Sequence, residues 1–134
     1  MINTHYGKIP PQNIEIEECL LTNMIMSGNK AIDQFINELN EELFYKEDNQ
    51  DLFRIIVGLY RKNKVIDFNT VLDQCRIEGK DTGHLTDLIM SDRLQSTSYS
   101  ELTNKDYINR LQQKYVRRRA ITMIQNWIRR FMMK

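Results

Sequence analysis

The sequence predicts an all-α fold, a compact bundle of about five short helices followed by one long C-terminal helix. Three observations predict it. Apolar residues recur at spacings of three and four along most of the chain, and no strand-like alternation of useful length occurs. Two prolines and five glycines in 134 residues leave few interruptions. The last thirty residues, from Lys105 onward, contain neither Pro nor Gly. The composition, 41% hydrophobic and 28% charged, is that of a folded chain.

The first helix follows a rigid entry at Pro10 and Pro11. Asn13 is placed to cap it, and Glu15, Glu17 and Glu18 suit the positive end of its dipole. Leu20, Leu21, Met24 and Ile25 form its core stripe, and Gly28 ends it. A second helix is expected over residues 30–39, with Ile32, Phe35, Ile36 and Leu39 inward. A third is expected over 49–63, with Leu52, Phe53, Ile56, Leu59 and Tyr60 inward. Gly58 lies inside it at a cost of about 1 kcal/mol against alanine, which points to a close packing contact there. Asp67 caps a fourth helix that buries Val71, Leu72 and Cys75 and stops at Gly79. A short fifth helix presents Leu85, Leu88 and Ile89. Residues 93–104 read as a polar loop.

Asn104 is expected to cap the last segment, a helix of about 30 residues and roughly 45 Å. The domain organisation that follows is a flexible tail over 1–9, a globular helical domain over 10–103, and a long basic amphipathic helix over 104–134. Ile108, Leu111 and Tyr115 form one stripe on it. Strict continuation lands on Arg118, inside the triplet Arg117, Arg118 and Arg119. The stripe then restarts in a new phase at Ile121, Ile124, Ile128 and Phe131, widened by Trp127.

Charge is divided unevenly. Residues 105–134 hold nine Lys/Arg and one acid, against ten bases and seventeen acids in the rest, so a segment near +8 follows a body near −7. Three uses of the last helix fit: helix-on-helix association through Ile121, Ile124, Trp127, Ile128 and Phe131, nucleic-acid contact through Arg117, Arg118, Arg119, Arg129 and Arg130, or a membrane-surface lie. Regular spacing of Trp and Ile favours packing, since large apolar patches mark interfaces. Burying those five side chains at about 25 cal/mol per Å2 yields several kcal/mol before entropy losses.

Catalytic and metal chemistry have no support. There is no GxxxxGK[ST] phosphate loop and no GxGxxG after a strand. His5 and His84 are isolated, and nothing resembles CxxC or HxxxH. Cys19 and Cys75 sit among apolar neighbours and read as reduced, buried thiols. Carboxylate pairs such as Glu17/Glu18 and Glu41/Glu42 read as solvated faces. No apolar run approaches the roughly 20 residues of a membrane span, and no signal peptide is visible.

The order of these segments resembles the N-terminal domain of replicative DNA helicases of the DnaB family. Its opening P-P-x-N-x-E-A-E-x-x-L pattern reads here as Pro10, Pro11, Asn13, Glu15, Glu17 and Leu20, with Ile16 in place of Ala. The family's F-Y-x6-I-F is matched by Phe44, Tyr45, Leu52 and Phe53, its L-Y by Leu59 and Tyr60, and its V-D and T-V by Ile66, Asp67, Thr70 and Val71. Asn104, Tyr107 and Arg110 match a later segment. After Gly79 the chain is shorter than the family's GGxxYL region. The resemblance spans about residues 8–124.

The resemblance implies a non-catalytic collar domain on a homohexameric ring, arranged as a trimer of dimers through a helical hairpin and recruiting primase or a loader. Its first hairpin arm would be the long helix here; the chain stops at Lys134 on that arm, as a fragment of a longer helicase or as a truncated or stand-alone relative. ATP and Mg would belong to a separate RecA-like domain, so no cofactor is expected in this chain. The setting implied is cytoplasmic, bacterial or phage-encoded, with DNA contact weak or indirect. A stand-alone nucleic-acid-binding or helicase-regulating module is the alternative reading.

Overall fold

A computed structural model describes residues 9–91 and 101–133. The expected tail over 1–9, except for Ile9, and the expected loop over 93–104, except for its last four residues, lie outside them. Six α-helices make up the described fold: α1 (Ile14–Ser27), α2 (Asn29–Phe35), α3 (Glu47–Arg61), α4 (Phe68–Ile77), α5 (Thr82–Met90) and α6 (Glu101–Met132). No strand occurs among the described residues. The all-α prediction holds, with five short helices and one long one.

Helix α1 is the hub. Every residue from Glu17 to Ile25 is buried, and α2, α3, α4, α5 and α6 all pack on it. Its start follows the sequence: the Asn13 side chain accepts from the Ile16 N–H at 3.1 Å. Its end follows too, because Gly28 adopts φ +78° while its N–H reaches the Met24 carbonyl. The expected apolar stripe, Leu20, Leu21, Met24 and Ile25, is buried as read. The burial extends all round the helix, however, and takes in Glu17, Glu18, Thr22 and Asn23.

This corrects the reading of Glu17 and Glu18 as solvated. Glu17 is fully buried because its carboxylate collects donors from thirty residues downstream. It accepts from the Tyr45 N–H at 2.8 Å, the Lys46 N–H at 3.3 Å and Asn49 Nδ2 at 3.0 Å. Glu18 meets Lys46 Nζ at 3.4 Å. Of the second pair, Glu41 is half-buried and Glu42 exposed, and both are engaged: Glu41 by Arg54 and Glu42 by the Tyr115 hydroxyl.

The second helix is shorter than expected. The chain leaves α-helical geometry at Phe35 (φ −135°, ψ 6°) and continues as a tight 3-10 turn over Ile36–Glu38, a common way for a helix to run out. A second 3-10 turn covers Glu41–Leu43. Helix α3 buries Leu52, Phe53, Ile56 and Leu59 as read, half-buries Tyr60, and buries Ile55 and Val57 as well. The Phe44 and Phe53 rings pack at a tilt of 33° with centroids 4.9 Å apart in the core.

Asp67 caps α4 by accepting from Thr70 N–H at 2.8 Å. At its other end Gly79 takes φ +69°, so its own N–H bonds Arg76 O while the Lys80 N–H bonds Cys75 O, a Schellman closure. Val71 and Cys75 are buried and Leu72 packs against them. Leu85 and Leu88 of α5 complete that side. Cys19 and Cys75 are both buried and are not joined in a disulfide.

Two further expectations fail. Asn104 is not a cap: α6 already runs from Glu101, and Asn104 is buried inside it, accepting from Asn23 Nδ2 at 2.6 Å. Its side chain is committed to a contact between α1 and α6, out of reach of the helix start. Gly58 makes no close contact either. A Cβ built on it meets no heavy atom within 4 Å. Gly58→Ala is therefore expected to stabilise the domain by about 1 kcal/mol, the helix-propensity difference, raising the melting temperature by about 3–5 °C in calorimetry.

Candidate functional site

Helix α6 is 32 residues long, about 48 Å at 1.5 Å per residue. Only its first half is needed to cover α1. Asn104, Ile108 and Leu111 are buried, and Tyr107 and Tyr115 pack partly against the core. Tyr115 also donates to Glu42 Oε2 at 2.6 Å. The first stripe thus does what its spacing predicts.

Arg118 then takes the place that strict continuation assigned to it. Its guanidinium donates through Nη1 to Pro11 O at 2.9 Å, and through Nη2 to Glu42 O at 3.0 Å and Leu43 O at 3.4 Å. It also lies over the rings of Tyr45 and Tyr115, at 5.6 and 6.0 Å from their centroids. Burial pulls the Arg118 pKa below its ordinary value, and Glu17, Tyr45 and Tyr115 oppose that. Arg118 is a packing residue whose donors are spent on the chain's own carbonyls. Of the five arginines considered for phosphate contact, it is the one removed from that surface; Arg117, Arg119, Arg129 and Arg130 are exposed.

Beyond Arg118 the apolar residues change sides. At about 100° per residue, Ile108, Leu111 and Tyr115 point one way, and Ile124, Trp127 and Phe131 point nearly the opposite way. The exposures agree. Ile124 is 53%, Trp127 64% and Phe131 66% exposed, while Ile121 and Ile128 are half-buried on the same flank. Trp127 and Phe131, one turn apart, stack with centroids 5.8 Å apart. Val116 (63%) and Met123 (61%) extend this face toward the body. The sequence reading missed both, although 116, 120, 123 and 127 follow a 4-3-4 spacing that would have found them.

The result is an uncovered apolar strip rimmed by arginines, on a helix rooted by Arg118. Such a strip can bury against another helix; it holds no arrangement of acid, base or nucleophile. Among the described residues no group of three or more His, Cys, Asp or Glu could hold a metal ion, and no helix is long and apolar enough to cross a membrane.

The family model described as the DnaB-like helicase N-terminal domain matches residues 9–130. The chain is 30% identical over 123 residues to a replicative DNA helicase DnaB of Rhodothermus marinus, covering 88% of this chain and 12% of that protein. It is 29% identical over 119 residues to a probable replicative DNA helicase of Trieres chinensis, covering 87% of this chain and 25% of that one. This chain therefore spans an eighth to a quarter of the length of these relatives. Its fold matches the crystal structure of the N-terminal domain of DnaB helicase from Mycobacterium tuberculosis with a TM-score of 0.76 at 23% identity, over 90% of this chain and 85% of that one.

Removing the root has a defined consequence. Arg118→Ala is expected to lower stability by about 2 kcal/mol in urea denaturation, the range for charge-assisted hydrogen bonds to carbonyls. Arg118→Lys keeps the charge but loses the planar fork, and is expected to recover at most about half of that.

Proposed function

The chain belongs to the family of DnaB-like helicase N-terminal domains, and on that premise we propose that it acts as the non-catalytic collar module of a replicative DNA helicase. In this reading it joins subunits through α6 and offers the assembled collar to primase or a loader. ATP hydrolysis and unwinding belong to a separate domain of the parent protein. The observation that supports the reading most is the apolar strip through Ile124, Trp127 and Phe131, which the chain's own body leaves open.

The physical argument is one of cost. The exposed Ile124, Trp127 and Phe131, with half-buried Ile121 and Ile128 beside them, favour burial, at about 25 cal/mol per Å2 of apolar surface removed from water. A second helix laid along the strip at a small crossing angle covers it. Exposed Arg130 then falls at the rim, where charges set register and partner choice more than affinity, while Arg129 faces away from the strip.

Light scattering coupled to size exclusion tests the association. The wild-type chain is expected to elute above monomer mass at high micromolar concentration, and the double variant Trp127→Ser, Phe131→Ser as a monomer with unchanged helical circular dichroism. A wild-type chain that stays monomeric would remove α6 as a self-association surface. Pull-down of the same organism's primase, reduced in the same double variant, is the expected outcome for recruitment.

A further inference from the structure

Gly58 is left unexplained by the fold. Glycine inside a helix is unfavourable, and a Cβ there would meet no heavy atom within 4 Å, so no close packing contact offsets it. Beside it runs a groove of about 380 Å3 between α3 and the 3-10 segments that precede it. Ile36, Leu39, Phe53 and Val57 line its apolar part, and Arg54 and Arg61 stand at its edge. The volume falls at the low end of the roughly 300–1,000 Å3 typical of binding clefts. None of its lining residues lies on α6.

Its charge is unbalanced. Arg54 is spent: it donates to Glu41 at 2.8 and 3.1 Å and to Asp51 at 3.0 Å, which also neutralises the one carboxylate lining the groove. Arg61 is exposed and forms no ion pair among the described residues. The groove therefore offers an apolar floor, a helix backbone open to close approach at Gly58, and one uncompensated cation.

We propose that this groove is a docking site for a short acidic, apolar segment of a partner protein, separate from the α6 strip. A large apolar side chain of the segment rests among Leu39, Phe53 and Val57. Its backbone crosses over Gly58, where the missing Cβ allows the approach. Its carboxylate pairs with Arg61, and a basic segment of equal apolarity is disfavoured by that same charge.

Fluorescence anisotropy with two fluorescein-labelled peptides tests this, Asp-Asp-Leu-Phe-Asp-Asp and its counterpart with lysine at every aspartate. The acidic peptide is expected to bind and the lysine peptide not to. Gly58→Ala is expected to weaken binding about tenfold while raising the melting temperature, so the loss cannot be unfolding. Arg61→Glu is expected to weaken it at least as much. Arg129→Glu, Arg130→Glu serves as the control for attraction to α6 and is expected to leave the affinity unchanged. Absence of binding, equal binding of both peptides, or affinity unaltered by Gly58→Ala overturns the proposal. So does binding lost only in the Arg129/Arg130 variant, which places the peptide on α6.

Discussion

A carboxylate buried at the centre of the molecule sets the path of the chain around it. Glu17 lies on α1, the helix that all the others pack against, and it accepts from the backbone of Tyr45 and Lys46 and from Asn49. Burial pushes its pKa up, against the pull of those hydrogen bonds and of the Arg118 charge. A group so placed is stabilising only while every donor stays in position, because an unpaired buried carboxylate is costly. The strand-free crossing from residue 40 to the start of α3 is consequently held in one geometry. Arg118 holds that same crossing too, through the carbonyls of Glu42 and Leu43. The direction in which α6 leaves the body is thus set at one joint, held by Glu17 and Arg118 together.

From that joint outward the geometry follows from length. A body of this size can cover only the first half of a 32-residue helix. The residues past Arg118 form their own apolar face, on nearly the opposite side from the one that packs. The two faces of α6 therefore serve two different packing surfaces, one within the chain and one open. Rigid anchoring at Asn104, Ile108, Leu111 and Arg118 presents the open face at a fixed angle, which reduces the ordering cost of association.

Much of this was legible in the residues. Periodicity located the helices, and Asn13, Gly28, Asp67 and Gly79 marked ends where the structure has them, since caps act through near neighbours in the chain. What was not legible depended on contacts far along it. Nothing near Glu17 signals that Tyr45 and Lys46 will donate to it, so a buried carboxylate looked like a solvated one. Arg118 lay in a basic triplet, and only the carbonyls of Pro11, Glu42 and Leu43 distinguish it from Arg117 and Arg119. Asn104 had the chemistry of a cap, but Asn23 claimed its side chain. On α6 spacing shows the outer part of the apolar strip; Val116 and Met123 are harder to see because the arginine triplet interrupts the pattern where these two join it.

Trp127 is the chain's one tryptophan and stands in the middle of the open strip, so its fluorescence reports directly whether the strip is covered. Emission is measured over a dilution series from high micromolar to nanomolar. Association through α6 predicts a blue-shifted, iodide-protected indole at high concentration that moves to the red emission of a water-exposed indole on dilution. Red, fully quenchable emission at every concentration would contradict it.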